Sequence, residues 1–300
     1  MRTVYLGTSD FAATVLERLA ASEHRPALVV TRPDRPRGRG RRLQPPPVAA
    51  AARALGLELD QPAAVNSDEA RARIAAAEPE VVVVCAFGAL IREPLLSDHE
   101  IFNVHPSLLP RWRGAAPVER AIMAGDRETG VCIMRLEAGL DTGPVCLSAR
   151  EPIAPADTYG TLSERLSELA GRLLVEALTH RPPFVAQAEE GVTYAAKIEP
   201  EDRILDGTAH GAVELERVVR ALEPHIGARV ALSDGAALGV HRAAVADGAP
   251  AAAGPEPGRV SGADGRLLLG CRPGTLELLE VQPPGGRAMA AADYLRGRRA

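Results

Sequence analysis

The feature that most constrains the fold is an unbroken apolar run, Val-Val-Val-Val-Cys-Ala-Phe, at residues 81–87. A strand whose side chains are apolar on both faces is typical of the centre of a parallel sheet. Further strands are predicted at residues 3–7, 27–31 and 101–105, and helical periodicity follows the first of them. Strands that alternate with helices predict an α/β domain with a Rossmann-like, doubly wound parallel sheet.

Downstream, the pattern completes the N-terminal domain and then predicts a second domain of a different architecture. The N-terminal part is completed by helices at 48–55, 113–125 and 161–178 and by a strand at 129–136. Beyond residue 205 a helix precedes short strands separated by Gly, Pro and Asp turns, which predicts a small OB-like β-barrel. These elements are predicted at 212–222 (helix) and at 228–232, 237–245, 258–262, 266–270 and 275–281 (strands). The domains are predicted at 1–189 and 206–300, joined by a linker at 190–205, and residues 246–257 are expected to be a disordered loop.

Composition excludes several classes of protein. The four cysteines lie far apart without a CxxC pair, so neither a zinc site nor a disulfide framework is indicated, and we expect reduced, mostly buried thiols. No apolar run reaches the ~20 residues that cross a bilayer, and no export signal is visible. We therefore expect a cytoplasmic protein without a membrane partner. Neither a complete Gly-x-Gly-x-x-Gly pattern nor a P-loop is present.

A compact set of polar residues follows the predicted strand at 101–105. Asn103 and His105 lie two residues apart and project to one side of that strand, which Pro106 ends, while Asp141 lies in an Asp-Thr-Gly segment. Acyl transfer to an amine needs an oxyanion donor, a proton-handling group and an orienting charge, and these three residue types supply them. Taken singly, His105 is better explained as a packed or capping histidine, and Asp-Thr-Gly as an ordinary turn, so the prediction rests on the three residues together.

The surrounding sequence resembles the formyltransferase family that uses 10-formyltetrahydrofolate. The resemblance rests on residues 103–118 (NVHPSLLPRWRGAAPV) and 139–145 (GLDTGPV). It implies the formyltransferase fold, no metal, and a catalytic trio of Asn103, His105 and Asp141. It further implies folate contacts at Ser107, Leu108, Leu109 and Pro110, and a pterin-pocket wall at Phe87 and Gly88. Family members more often have Tyr at position 87.

The resemblance extends to both ends of the chain. Residues 1–11 resemble the family's opening strand and turn, and residues 279–298 resemble the closing segment of the members that formylate methionyl initiator tRNA. Members that act on glycinamide ribonucleotide lack a C-terminal barrel of this kind. The resemblance therefore implies initiator methionyl-tRNA as the acceptor, and we expect a monomer.

An arginine-rich segment at residues 32–47 is similar to the insertion with which such members contact the tRNA acceptor stem. Arginine binds phosphate through bidentate contacts. The Arg/Gly/Pro-rich composition of the segment cannot build a core, but the segment can become ordered when it binds a charged nucleic-acid backbone. The predicted tRNA-binding residues are Arg35, Arg37, Arg39, Arg41 and Arg42, with Arg39 as the most important. A solvated loop is the alternative interpretation. Residues 220–227 lack the aromatic side chains common in the family, so the C-terminal domain is expected to bind mainly through Arg296, Arg298 and Arg299.

Two other functions remain open at this stage. A formyltransferase for an amino-sugar nucleotide would keep the trio but would not need the arginine-rich segment. A non-catalytic nucleic-acid-binding protein would need the arginines but not the trio. The preferred function is formyl transfer in which Asn103 and His105 stabilise the oxyanion while Asp141 orients His105.

Overall fold

The computed structural model describes residues 1–37, 42–246 and 254–298, without the side chains of Arg37 and Arg298. In chain order the strands are β1 Thr3–Gly7, β2 Pro26–Val30, β3 Arg35–Arg37, β4 Arg42–Gln44, β5 Leu59–Asp60, β6 Val81–Cys85, β7 Ile101–His105, β8 Arg113–Gly114, β9 Glu128–Arg135, β10 Val145–Pro152, β11 Tyr194–Ala195, β12 Ala228–Ala231, β13 Ala237–Val245, β14 Val260–Ala263, β15 Arg266–Gly270, β16 Thr275–Gln282 and β17 Met289–Ala290. The helices are α1 Asp10–Ala20, α2 Pro47–Ala54, α3 Asp68–Ala76, α4 Leu95–Asp98, α5 Pro117–Ala124, α6 Tyr159–His180, α7 Ala212–Leu222 and α8 Ala291–Arg298, with a 3-10 turn at Glu201–Arg203.

The chain divides into two compact units, each assembled from segments that are separated in sequence. The first unit comprises Met1–Pro117, Glu128–Pro152 and Ser163–Ala195, and the second comprises Val118–Arg127, Ile153–Leu162 and Ala196–Ala300. The domain boundaries expected from the sequence, at 189 and 205, stay predictions.

The first unit contains a seven-stranded sheet in the order β10-β9-β7-β6-β1-β2-β5. Strands β7, β6, β1, β2 and β5 are parallel to one another, whereas β9 is antiparallel to both β7 and β10. The predicted Rossmann-like parallel sheet is therefore confirmed, and it carries an antiparallel edge, as many such sheets do.

The apolar run lies where its pattern requires. All five residues of β6 are buried between β1 and β7. Helix α1 begins after Ser9, whose hydroxyl accepts a hydrogen bond from the Ala12 amide. Its apolar face is buried and includes Phe11, Val15 and Leu16. The carboxyl ends of the parallel strands are thus held at one edge of a rigid core.

The second unit is built on an antiparallel sheet in the order β12-β13-β16-β15-β14, with β17 paired to β16. Helix α7 covers it, and Leu215, Val219 and Leu222 pack into the same core as Leu238 and Leu278. The small barrel-like domain expected from the sequence is confirmed. Helix α8 and β17 were not predicted, and most of the expected loop at 246–257 lies outside the described residues.

The structure differs from the sequence pattern around the trio. The helix expected at 113–125 begins only at Pro117, and Arg113 and Gly114 instead form β8, paired in parallel with β11. Strand β10 was not predicted, and none of its residues is fully buried. Within the described ranges, no helix is long and apolar enough to span a bilayer.

Candidate active site

The structure brings the three predicted catalytic residues together. Asn103 and His105 stand on β7 at its carboxyl end, and Asp141 lies in the loop between β9 and β10. Asn103 Nδ2 donates to Asp141 Oδ1 at 3.3 Å, and His105 Nδ1 lies 3.6 Å from Asp141 Oδ2. Only 5% of the His105 side chain and 13% of the Asp141 side chain are exposed. Poor solvation at this site strengthens every interaction between these groups.

The other ring nitrogen of His105 contacts the backbone. Nε2 lies 2.9 Å from the carbonyl oxygen of Trp112. Because a carbonyl oxygen can only accept, this contact places a proton on Nε2 and turns Nδ1 toward the carboxylate. The imidazole is therefore fixed in orientation from both sides.

The carboxylate of Asp141 is itself held by the chain. The Gly114 amide donates to Oδ2 at 2.8 Å, and Asp141 adopts a left-handed backbone with φ of 51°. Gly143, two residues on, approaches β9 so closely that a Cβ there would lie 2.0 Å from the Arg135 carbonyl oxygen. The loop therefore requires glycine at this position, because no backbone atom can yield that much space.

The predicted folate-contacting segment follows His105 directly. Ser107 is fully buried, and its hydroxyl donates to the Arg111 carbonyl at 2.6 Å, while Leu108, Leu109 and Pro110 are partly exposed. The Ser107 hydroxyl thus closes a tight turn, and the partly exposed residues are the ones free to contact a ligand. Their role in folate binding stays a prediction.

Phe87 and Gly88 follow β6. Phe87 is 4% exposed, and its carbonyl accepts from the Thr8 hydroxyl at 2.7 Å. The Gly88 carbonyl accepts from Arg32 Nη1 at 2.7 Å. A cavity of about 450 Å³ lies beside them, with Phe87, Arg32, Asn66, Leu90 and Arg92 among its lining residues. The trio does not line this cavity.

The arginine-rich segment forms a two-stranded hairpin where the structure describes it. Strands β3 and β4 pair antiparallel, with Arg35 opposite Gln44, and the Arg35 and Arg42 side chains are exposed. Arg39 and Arg41 lie outside the described residues, as does the side chain of Arg37. Leu43 beside them is 70% exposed.

Several residues at the site were not anticipated from the sequence. Gln187 donates to the loop that carries Asp141, Arg113 donates to Gln187, and the Thr193 hydroxyl accepts from the Trp112 amide. Gln187 and Thr193 lie in a stretch without periodic pattern. Trp112 and Arg113 fall inside the quoted motif, which is the one signal that could have found them. No local pattern marks Gln187.

In the second unit, the segment that lacks aromatic residues still makes a ring contact. His225 stacks on Tyr159 with ring centroids 3.6 Å apart, and its Nε2 lies 2.9 Å from Glu119 Oε1. Of the C-terminal arginines, Arg296 pairs with Asp293, whereas the Arg298 side chain and Arg299 lie outside the described residues.

The thiols are free and mostly buried, as expected. Burial raises the pKa of Cys85 to about 12 and that of Cys132 to about 11, so neither is a thiolate at neutral pH. In the part of the chain that the structure describes, no group of three His, Cys, Asp or Glu side chains could hold a metal ion. Nothing in the donor set around the trio calls for one.

Two family models match this chain: formyl transferase over residues 1–178 and formyl transferase, C-terminal domain over residues 197–299. The chain belongs to the formyl transferase family, as its motifs indicated. Its relatives include the methionyl-tRNA formyltransferase of Dechloromonas aromatica, 44% identical over 99% of this chain and 96% of that one. The methionyl-tRNA formyltransferase of Xanthomonas campestris pv. campestris is 45% identical over 100% of this chain and 98% of its own.

Solved structures with the same fold are more distant in sequence. HypX from Aquifex aeolicus in complex with tetrahydrofolic acid has a TM-score of 0.67 at 18% identity, over 98% of this chain and 47% of that one. WlaRD, a sugar 3N-formyl transferase, has a TM-score of 0.65 at 13% identity, over 93% of this chain and 97% of its own. At these identities the likeness shows the fold alone.

Proposed function

We propose that this enzyme transfers the formyl group of 10-formyltetrahydrofolate to the α-amino group of methionyl initiator tRNA. The observation that carries the proposal is the convergence of Asn103, His105 and Asp141, with 3.3 Å and 3.6 Å between the carboxylate and its two partners. The activity of relatives that are 44–45% identical over nearly the whole chain supports the same acceptor. The enzyme acts in the cytoplasm as a monomer.

The site residues act on the charge that develops during transfer. As the amine attacks the formyl carbon, a C–N bond forms and the carbonyl electron pair moves to oxygen. Asn103 donates a hydrogen bond to that oxyanion, and His105 donates another through Nδ1 when its ring carries a proton on both nitrogens, because Nε2–H is bonded to the Trp112 carbonyl. Asp141 keeps the imidazole oriented and assists removal of the amine proton. Collapse then breaks the bond to the folate nitrogen, which takes up a proton to give tetrahydrofolate.

The remaining predicted residues serve binding. Leu108, Leu109 and Pro110, together with the chain around Phe87 and Gly88, contact the folate. The phosphate backbone of the acceptor stem is bound by the hairpin arginines, namely Arg35, Arg37, Arg39, Arg41 and Arg42. The domain at 1–189 carries the chemistry, and the domain at 206–300, which follows the 190–205 linker, contributes to tRNA binding. The exposed position of Arg35 and Arg42 supports this role.

The test is formyl transfer from the folate donor to charged tRNA, compared with transfer to free methionine and to an amino-sugar nucleotide. We expect rapid transfer only to the tRNA. Replacing His105→Ala should lower kcat by about 10²–10³-fold because one oxyanion donor is lost. His210→Ala is the matched control, since that ring is 56% exposed in the second unit. Near-normal turnover by His105→Ala would refute the assignment, and transfer to the sugar nucleotide alone would favour the second candidate.

A further inference from the structure

One side chain outside the predicted set bridges the loop that carries Asp141. Gln187 Nε2 donates to the Asp141 carbonyl oxygen at 2.8 Å and to the Gly143 carbonyl oxygen at 2.7 Å. These carbonyls lie on either side of Thr142, so one amide group uses its two hydrogens to clamp the whole Asp-Thr-Gly turn. Gln187 is 46 residues from Asp141 in sequence.

The orientation of that amide is determined by Arg113. Its guanidinium donates through Nε and Nη2 to Gln187 Oε1, at 3.0 and 2.7 Å. Because a guanidinium only donates and a carbonyl only accepts, Oε1 must face Arg113 and Nε2 must face the loop. The amide therefore cannot rotate without losing bonds on both sides.

The clamp acts on a residue with an uncommon backbone conformation. Asp141 holds a φ of 51°, in the left-handed region that few non-glycine residues adopt. On the side-chain end, its carboxylate is held by the amide of Gly114, the residue that follows Arg113 on β8. Arg113, Gln187 and Gly114 thus fix the backbone and the carboxylate of Asp141 as one connected set.

We propose that Gln187 is a positioning residue for formyl transfer, acting through Asp141 and held in place by Arg113. The inference rests on the proposed function, because Gln187 has an effect only if Asp141 takes part in formyl transfer. Gln187 itself is assigned no contact with substrate. A shift of the Asp141 carboxylate by even about 1 Å would disturb its 3.6 Å approach to His105, and misplacements of that size cost up to about 10²-fold in rate.

The experiment measures formyl transfer by the native protein, Gln187→Met, Asp141→Asn and the double variant. Methionine matches the length of glutamine but offers neither the amide hydrogens nor the oxygen. For Gln187→Met we expect kcat to fall by about 10–100-fold, with KM for the folate donor and for tRNA changed by less than about 2-fold. In the Asp141→Asn background the same change should alter kcat by less than about 2-fold, because Gln187 acts through Asp141.

Gln282→Met is the matched control, because its amide also donates to a backbone carbonyl, that of Gly286 at 3.0 Å, but in the second unit. It should keep native kcat. Native kcat in Gln187→Met, or an equal loss in both backgrounds, would overturn the positioning role. If Gln187→Met does not fold, Gln187→Glu, which keeps oxygens for Arg113 but has no amide hydrogens, is judged by the same criteria. Failure of both to fold would assign Gln187 to the fold and overturn the proposal.

The two proposals fail in distinguishable ways. If Asp141→Asn retains native kcat, the proposed trio is wrong whatever Gln187 does. If Asp141→Asn is impaired and Gln187→Met is not, only the positioning role is wrong.

Discussion

At the residue scale, the trio depends on hydrogen bonds whose partners are mostly backbone atoms. His105 Nε2 donates to the Trp112 carbonyl, and Asp141 Oδ2 accepts from the Gly114 amide. Backbone partners cannot change rotamer, so they hold the two side chains more rigidly than exposed side chains would. Such pre-organisation is what makes fixed dipoles effective toward developing charge.

Replacing Asp141→Asn tests the orienting role of the carboxylate. The amide keeps the size of the side chain but loses the negative charge beside His105 Nδ1, so we expect kcat to fall by up to about 10⁴-fold. Steady-state kinetics of formyl transfer measure it. Asp264→Asn is a close control, because Asp264 has the same φ of 51° but lies on an exposed turn of the second unit. Equal activity of the two variants would contradict the role given to Asp141.

At the element scale, the turn between β9 and β10 and the β3–β4 hairpin are the segments that carry the proposed function. The turn packs closely against β9, so the sheet determines the position of the turn. The hairpin instead presents Arg35 and Arg42 to solvent. Substitutions in the turn should therefore act by changing the structure of the site, whereas substitutions in the hairpin should act by changing its charge.

Gly143→Ala should disrupt the turn. The added methyl group would lie 2.0 Å from the Arg135 carbonyl oxygen, and overpacking of this kind typically costs about 1–3 kcal/mol. We expect a lower midpoint of urea unfolding together with loss of formyl transfer. Gly297→Ala, where the described residues beyond its chain neighbours and its own helix backbone leave no atom within 4 Å of the new methyl group, should instead be neutral or stabilise α8 by up to about 1 kcal/mol. A native midpoint in Gly143→Ala would show that the close approach is absent.

The hairpin arginines should make tRNA binding depend on salt. Neutralising phosphates releases counterions, so Arg35→Gln and Arg42→Gln should each weaken binding and reduce the slope of log K against log salt by about one unit. The dissociation constant is measured across a salt series. Arg172→Gln, which removes an exposed arginine of α6, should leave the slope unchanged. An unaltered slope in both hairpin variants would point to the amino-sugar alternative.

At the scale of the whole molecule, the second unit is assembled from three separate segments of chain. Arg120 of the first segment donates to Asp202 of the third at 2.8 and 3.2 Å, and Tyr159 of the middle segment stacks on His225. Long-range contacts of this kind close loops whose entropy must be overcome on folding. Weakening them should lower the stability of this unit without touching the trio.

The Arg120–Asp202 pair predicts how this stability changes with pH. The hydrogen bond from Arg120 lowers the pKa of Asp202 below its usual value. A depressed pKa stabilises the folded state above the unfolded-state pKa, and that contribution is lost as pH falls through the folded-state value. Asp202→Asn should therefore lower the thermal midpoint at about pH 7, and the difference from the native protein should shrink as the pH falls through the lowered pKa of Asp202. Thermal unfolding at a series of pH values measures this difference, with Asp264→Asn as the control. A difference in midpoint that does not change with pH would contradict the prediction.

Much of the molecule follows from the amino-acid sequence alone. The apolar run at residues 81–87 predicts a buried central strand because burial on both faces leaves no polar positions, and β6 is such a strand. Asn103 and His105 share a face because side chains alternate along a strand. Asp141 is a candidate by its residue type and by the resemblance to a family, but nothing local shows that a turn 38 residues away returns to Asn103.

Only the tertiary structure decided what surrounds the trio. Residues 113–114 have helical neighbours in sequence but pair with Tyr194 and Ala195, and Gln187 reaches Asp141 from a stretch with no periodicity. The physical reason is that periodicity records which face of an element is buried, a local property. A single side-chain hydrogen bond across 46 residues leaves no period, because it depends on where the folded chain brings two distant segments together.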